Sequence, residues 1–207
     1  MKKILIMLLI ATLLMSGCGK KEVVNENDLA NKINYDYNPK ATIMLEGEKK
    51  IVVELYPEIA KNTVNNFISL SQSGFYSGLI FHRVIKGFMV QGGCPEGTGA
   101  GGPGYSINGE FTSNGFENNL LHDKGVISMA RTMDPNSAGS QFFIMHEKNE
   151  SLDTKYAAFG KVIEGMEYVD EIANVETGEK DKPIIDQVIK SITIDLNGYE
   201  PEPVIKK

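Results

Sequence analysis

The chain has 207 residues, of which 42% are hydrophobic and 23% are charged, and its formal net charge is −6. This composition suits one globular domain with short appendages. The acidic balance, without a cluster of lysines and arginines interleaved with aromatic residues, argues against a nucleic-acid partner.

Residues 1–17 have the pattern of a signal peptide. A short basic start, MKK, precedes an uncharged apolar run of twelve residues, ILIMLLIATLLM, which is too short to span a bilayer comfortably. The ending MSGC resembles a bacterial lipobox, with Met15 where leucine is usual, so we expect a lipid such as palmitate on Cys18. Secretion without a lipid is the alternative. The expected location is extracytoplasmic, with the protein anchored to the bacterial cell membrane through Cys18.

Residues 18–39 are predicted to be the lipidated N-terminus and a tether, because they are polar, rich in asparagine and charge, and end in Pro39. Cys18 and Cys94 are the two cysteines of the chain. Since a lipidated Cys18 cannot form a disulfide, Cys94 is expected to be an unpaired thiol on a loop. No activating base lies near Cys94 in the sequence, which argues against a nucleophilic role.

Residues 40–196 are predicted to form one domain made mostly of strands. Apolar runs and period-two alternation indicate eight strands: ATIMLE, KIVVELY, IFHRVI, FMVQ, GVISMA, SQFFIMH, AFGKVI and IIDQVIKSITIDL. Helical spacing of apolar residues indicates two helices, in AKNTVNNFISLSQSG and IEGMEYVDEIANV. These elements favour a mainly β fold, a closed eight-stranded antiparallel barrel capped by two helices. Residues 197–207, which contain two prolines, are predicted to be a flexible tail.

Arg83 is the most unexpected residue in the strand pattern. Period two puts it on one strand face with Phe81 and Ile85, and an arginine that faces a core is costly unless it has a partner. The segments GFMVQGG and SQFFIMH also mix polar with large apolar residues, and the glycines of the first allow a bend. They add five residues to the candidate set: Gln91, Gln141, Phe88, Met89 and Phe143. The set predicts a pocket for an apolar group next to one carbonyl or amide, and it contains no nucleophile or acid–base pair.

The segments FHRVIKGFMVQGG, GTGAGGPGY, GVISMA, PNSAGSQFFI and AAFGKV, in this order, resemble the cyclophilin-type peptidyl-prolyl cis–trans isomerases. The resemblance covers residues 40–196 and implies the same barrel with two capping helices. It also implies a rotamase that assists protein folding, needs no cofactor and no metal, and acts on proline-containing unfolded or extended polypeptides. We expect it to be a monomer.

The resemblance implies a role for each residue of the predicted pocket. Arg83 corresponds to the catalytic arginine, Gln91 to the side chain that orients it, and Phe88 to a wall beside it. The positions matched to substrate binding are Met89, Gly99, Ala130, Arg131, Thr132, Gln141, Phe143, Leu152 and Tyr156. Within this set, the backbone of residues 130–132 is expected to pair with an extended peptide, across a groove from Gly99.

Two positions depart from the pattern of the family members that bind cyclosporin, and a third departs from that of the eukaryotic relatives. Ser151 replaces a tryptophan, so weak or no cyclosporin binding is expected. Tyr156 replaces a common histidine but keeps an aromatic ring with a polar tip, so isomerase activity is expected to survive. Arg131 stands where asparagine is common in eukaryotic relatives, and we expect it to tune substrate preference more than rate.

Two other functions stay open from the sequence. One is an extracytoplasmic peptide-binding chaperone or adhesin in which turnover is incidental. The other is a hydrolase, which needs a nucleophile–base pair that the sequence does not display. GTGAGGPG lacks the Lys-Ser/Thr that follows in a phosphate-binding P-loop, and the three histidines have no metal-ligand spacing.

Overall fold

The computed structural model describes residues 37–207. The predicted signal peptide, the lipidation of Cys18 and the predicted tether up to residue 36 lie outside the described residues. Over residues 37–207, no helix has the length and apolar character that crossing a membrane requires. The same residues contain no cluster of three or more His, Cys, Asp or Glu side chains placed to hold a metal ion.

Within residues 37–207, the regular structure consists of eight strands, two α-helices and four short 3₁₀ turns. The strands are β1 Lys40–Leu45, β2 Lys50–Leu55, β3 Arg83–Ile85, β4 Met89–Gly92, β5 Val126–Met129, β6 Phe142–Met145, β7 Ala158–Glu164 and β8 Ile189–Asp195, and the helices are α1 Lys61–Gln72 and α2 Met166–Ala173. All strand pairs are antiparallel, in the order β3-β4-β6-β5-β7-β2-β1-β8. The predicted mainly β architecture with eight antiparallel strands and two helices is therefore confirmed.

The sheet curls into a half-barrel but does not close, so the prediction of a closed barrel was wrong. β3 and β8 are its two ends. In the described chain the segment before β3 bonds to the start of β8 and to the residues before it. Gly78 N donates to Ile189 O (2.8 Å), Ile189 N donates to Leu79 O (2.7 Å), and an isolated bridge joins Ile80 to Val188. β3 has three residues, and in the described sheet its ladder is with β4.

The main core fills the inside of the curled sheet. Val84, Val90 and Ile144 are paired in register across β3, β4 and β6 and belong to this core. Helices α1 and α2 cover it with Phe67 and Val169, which are fully buried. Because side chains alternate along a strand, the intervening residues of β3, β4 and β6 face away from this core and are available to build a site.

Residues 197–207 lie against the domain in the structure. Tyr199 packs on the main core. Ile205 N donates to Asn62 Oδ1 (2.8 Å), and Asn62 Nδ2 donates back to Ile205 O (3.0 Å). The sequence predicted a flexible tail from its polar, proline-containing composition. The structure describes a docked segment because an aromatic ring and a backbone amide find partners that are distant in sequence.

Candidate functional site

A row of side chains crosses the outer face of the sheet. Arg83 of β3 pairs in register with Gln91 of β4, Gln91 with Phe143 of β6, and Phe143 with Ser128 of β5. The period-two expectation that Phe81 shares the face of Arg83 was wrong, because β3 begins only at Arg83 and Phe81 is buried in the main core. Arg83 therefore borders an outer pocket and does not point into the core.

A pocket of about 180 Å³, here called the central pocket, lies over this row. Its lining consists of Arg83, Phe88, Met89, Gln91, Ala130, Arg131, Phe143, Leu152 and Tyr156. These are nine of the twelve predicted site residues. The fold thus brings together side chains that are up to 73 positions apart, from Arg83 to Tyr156.

The other three predicted residues, Gly99, Thr132 and Gln141, line a second pocket of about 190 Å³, here called the side pocket. Its lining includes the loop 99–103 and shares Gln91, Ala130 and Arg131 with the central pocket. The two pockets are therefore adjacent parts of one groove.

The apolar wall of the central pocket belongs to a small second core on the outer face. Met89 and Phe143 are nearly fully buried in it, and Phe88 packs against it. Phe88 reaches this wall through the turn before β4, where Gly87 has φ +79° and Phe88 N donates to Ile85 O (3.0 Å). This turn is the bend that the glycines of GFMVQGG predicted.

Arg83 has a carboxylate partner that is far away in sequence. Its Nε donates to Asp181 Oδ2 (3.2 Å), and the two side chains are 41% and 46% exposed. Asp181 ends a short 3₁₀ turn, Glu179–Asp181, in the segment between α2 and β8. Gln91 Nε2 donates to Gln141 Oε1 (3.0 Å). In this structure the group bonded to the arginine is thus Asp181, where the resemblance implied Gln91.

Gln141 and Cys94 hold the loop of the side pocket. Gln141 Nε2 donates to the carbonyl oxygens of Gly99 (2.8 Å) and Gly101 (2.9 Å). The backbone N–H groups of the same two glycines donate to Cys94 Sγ (3.2 and 3.3 Å). Burial raises the pKa of the Cys94 thiol, but backbone hydrogen bonds, first from Thr98, lower the pKa by more, so it lies below its usual value. Cys94 is a buried acceptor that shapes the loop.

A serine, a histidine and an aspartate are connected behind the apolar wall. His122 Nε2 lies 3.0 Å from Ser128 Oγ, and His122 Nδ1 lies 3.0 Å from Asp153 Oδ1. Burial lowers the pKa of His122, and Asp153 offsets part of that change. His122 also stacks on Phe143, with ring centroids 6.0 Å apart. Ser128 is 0% exposed, so this arrangement supports the wall and offers no accessible nucleophile for a hydrolase.

Part of the backbone predicted to pair with a peptide is bonded within the protein. Ala130 N donates to Gln141 O (2.9 Å), and Thr132 N donates to Ser137 Oγ (2.9 Å). The N–H groups of Ala130 and Thr132 are therefore already bonded. A peptide that lies along residues 130–132 would contact Arg131, which lies between them.

Sequence reasoning missed Asp181, His122 and Ser128. Asp181 and His122 lie outside the quoted motifs, and Ser128 lies within GVISMA without a pattern that marks it. Each contacts a residue at least six positions away. The one available signal was Pro183 shortly after Asp181, which marks a turn but not its position in the fold.

Comparison with known proteins agrees with this geometry. The family model "Cyclophilin type peptidyl-prolyl cis-trans isomerase/CLD" matches residues 41–194. Peptidyl-prolyl cis-trans isomerase B of Bacillus subtilis is 49% identical over 131 residues, which are 63% of this chain and 88% of that protein. Human peptidyl-prolyl cis-trans isomerase-like 3 is 46% identical over 151 residues, which are 72% of this chain and 92% of that protein.

A solved structure supports the same assignment. The crystal structure of a Cryptosporidium parvum cyclophilin type peptidyl-prolyl cis-trans isomerase superposes with a TM-score of 0.71 at 36% identity, covering 77% of this chain and 98% of that one. The prediction of an enzyme of this class is thereby confirmed. With its curled eight-stranded sheet and two helices, the chain belongs to the cyclophilin-type peptidyl-prolyl cis–trans isomerase family.

Proposed function

We propose that this protein accelerates rotation about X-Pro bonds in exported proteins, with Arg83 stabilising the twisted amide beside the apolar central pocket. The observation that carries the proposal is the register row, which sets a guanidinium next to the buried wall of Met89 and Phe143. A proline ring suits such a wall, because it is apolar and rigid.

The chemistry requires a group that prefers the twisted amide to either planar form. Partial double-bond character gives the peptide bond a rotational barrier of about 18–20 kcal/mol. Twisting removes this resonance, and the prolyl nitrogen regains a lone pair that accepts a hydrogen bond. Arginine carries five N–H donors and keeps its charge at any relevant pH, so Arg83 can donate to the twisted state. Interactions made only in that state lower the barrier.

The magnitude is reasonable for a few hydrogen bonds. Each tenfold acceleration needs about 1.4 kcal/mol of preference for the transition state. A hydrogen bond from a charged donor contributes about 1.5–3 kcal/mol. Two such bonds from Arg83 to the twisted amide would therefore supply at least two factors of ten.

The direct test follows cis-to-trans relaxation of an Ala-Pro peptide in the presence of the full chain, kept in solution with a mild detergent. Arg83→Ala should lower kcat/KM by about tenfold or more, a loss of at least about 1.4 kcal/mol of transition-state stabilisation. Lys161→Gln is the matched control, because it removes a positive charge from an exposed position of β7 outside both pockets. Equal activity of Arg83→Ala and wild type would refute the role of Arg83.

A second candidate is a chaperone or adhesin that binds extended peptides, with incidental turnover. The side pocket favours it, because a groove longer than one proline ring suits the binding of several residues. Peptide binding by wild type without any acceleration of relaxation would support this candidate and exclude the first.

The exported location is proposed from the sequence alone. Residues 1–17 and Cys18 supply the signal-peptide and lipobox pattern. On expression in a bacterium, wild type should fractionate with membranes, and its mature N-terminal peptide should carry the mass of an acylated cysteine. Cys18→Ala should remove that mass and release the protein from the membrane fraction. An unmodified Cys18 in membrane-free protein would refute the anchor.

A further inference from the structure

The two pockets of the groove carry positive charge in a chain that is acidic overall. The sequence has 27 aspartates and glutamates against 21 lysines and arginines. Among the residues that line the central and side pockets in the described part of the chain, the charged ones are Arg83 and Arg131, and none is a carboxylate. Asp181 faces Arg83 from outside this lining, so Arg131 is the lining charge whose bonds go to uncharged groups.

Arg131 is fixed in place by uncharged partners. Its Nε and Nη2 donate to Lys155 O (3.2 and 2.9 Å), and its Nη1 donates to Thr132 O (2.9 Å). Its guanidinium carbon lies 4.6 Å from the centre of the Tyr156 ring and 5.1 Å from that of Phe111. Carbonyl groups and aromatic faces hold a cation without cancelling its formal charge.

The charge of Arg131 contributes to a lowered pKa at a neighbouring acid, Asp134. The pKa of Asp134, on the loop that follows residue 132, lies below its usual value, first because Asn136 N donates to it and further because Lys207 and Arg131 are near. Asp134 also faces Lys207 Nζ at 3.5 Å. Its carboxylate is thus engaged by Asn136 and Lys207, and the bonds of the Arg131 side chain go to the two carbonyls above.

Arg131 lines both pockets, so it faces the part of a peptide that passes between them. A side chain held in advance loses little conformational entropy when a ligand binds. We infer that Arg131 makes this enzyme select X-Pro segments that carry a carboxylate side chain one or two positions before the proline and disfavour segments with lysine or arginine there. The inference rests on the proposed function, since it names the substrate class of the same groove.

The experiment compares blocked peptides of the form acetyl-Ala-Xaa-Pro-Phe-amide, with glutamate, glutamine or lysine as Xaa. A second series places the same three residues one position earlier. The full chain is used, and the catalysed cis–trans exchange of each peptide is measured by NMR. In at least one series, kcat/KM should fall from glutamate through glutamine to lysine, with about a fivefold ratio between the extremes, which is about 1 kcal/mol. The ratio should shrink at about 0.5 M salt, because the Debye length then falls well below 10 Å.

Three variants assign the effect to its residue. Arg131→Gln should bring the glutamate-to-lysine ratio close to one, and Arg131→Lys should keep most of it because the charge remains. Lys161→Gln, which removes one charge outside the groove, should keep the full ratio. The readout is a ratio, so a change in the absolute rate of a variant does not affect it. If Arg131→Gln does not fold, the glutamate-to-lysine ratio is compared at low and high salt in wild type and Arg131→Lys. A ratio that does not shrink with salt would then overturn the inference.

Equal rates for the three peptides in wild type, or a ratio that survives Arg131→Gln, would overturn the inference. Neither result resembles a failure of the proposed function. That failure would appear as no acceleration of any peptide, or as acceleration that does not depend on Arg83.

Discussion

The two sides of the central pocket each present an arginine, but they hold it in different ways. In the described chain, the Arg83 side chain uses one N–H donor, and its acceptor is the carboxylate of Asp181. The Arg131 side chain uses three, and its acceptors are backbone carbonyls. A guanidinium has five N–H donors, so four remain for Arg83 and two for Arg131. The difference fits the two proposed roles, in which Arg83 donates to the twisted amide and Arg131 contributes a fixed charge.

The largest difference between the two arginines is expected when each is replaced by lysine. Arg83→Lys keeps the charge but loses the planar set of donors, so kcat/KM for a neutral Ala-Pro peptide should fall by about tenfold or more. Arg131→Lys should lower the same quantity by less than about threefold, because its contribution is mainly electrostatic. Isomerisation kinetics on both variants measure the difference. Equal losses would show that the two arginines do not have distinct roles.

The carboxylate on the first side should have a smaller effect. Asp181→Asn removes the charge that faces Arg83 and keeps an acceptor of similar shape, and exposed ion pairs contribute up to about 1 kcal/mol. We expect kcat/KM to fall by about two- to fivefold through poorer positioning of Arg83. Isomerisation kinetics at low salt measure the change.

Asp186→Asn is the matched control for Asp181→Asn. Asp186 lies on the same segment and faces Lys182 at 3.6 Å, so its loss should leave kcat/KM unchanged. A rise in kcat/KM in Asp181→Asn would mean that the carboxylate competes with substrate for the guanidinium.

The smallest expected effect is on the pKa of a buried histidine. His82 is next to Arg83 in the chain, and His122 lies behind the apolar wall and serves as the comparison. Burial, and then the charge of Arg83, lower the pKa of His82. Burial lowers that of His122, and Asp153 offsets it in part. Arg83→Ala should therefore raise the pKa of His82 and leave that of His122 unchanged, as NMR titration of the imidazole protons can measure. Equal shifts at both histidines would indicate a general change of structure.

The same two histidines should contribute to the pH dependence of stability. Their pKa values in the folded protein lie below the ordinary value of 6.5. As pH falls below 6.5, the unfolded chain binds protons that the folded protein does not yet bind, so the free energy of unfolding should decrease. Chemical denaturation at pH 7 and pH 5 checks this. Greater stability at pH 5 would contradict it.

Local patterns predicted most of the fold and six of the twelve candidate site residues, and the family resemblance supplied the other six. The eight strands follow from short apolar runs bounded by glycine and polar turns, and both helices follow from helical spacing. The six residues from local patterns lie together along the two adjacent pockets, because the motifs FHRVIKGFMVQGG and SQFFI form strands that pair directly. The other six lie on loops and at strand ends that line the same pockets.

What the sequence could not predict depends on contacts between irregular segments. The predicted closure of the sheet was wrong at β3, because only three residues of IFHRVI form a ladder. Asp181 reaches Arg83 from a turn 98 positions away, and no periodicity fixes where such a turn lies. His122 looks like an isolated histidine until the fold sets Ser128 and Asp153 on either side of its ring.

The docked tail has a practical consequence for anyone who handles this protein. Lys207 N donates to Ser106 O (2.8 Å), and Lys206 Nζ lies 4.2 Å from the centre of the Tyr105 ring, which lines the side pocket. Any residues that follow Lys207, such as an affinity tag, would therefore start beside the peptide groove. A polyhistidine or acidic tag at that end would place new charges within reach of the substrate and distort measurements of charge preference. A purification handle is better inserted ahead of Pro39, before the described strands begin.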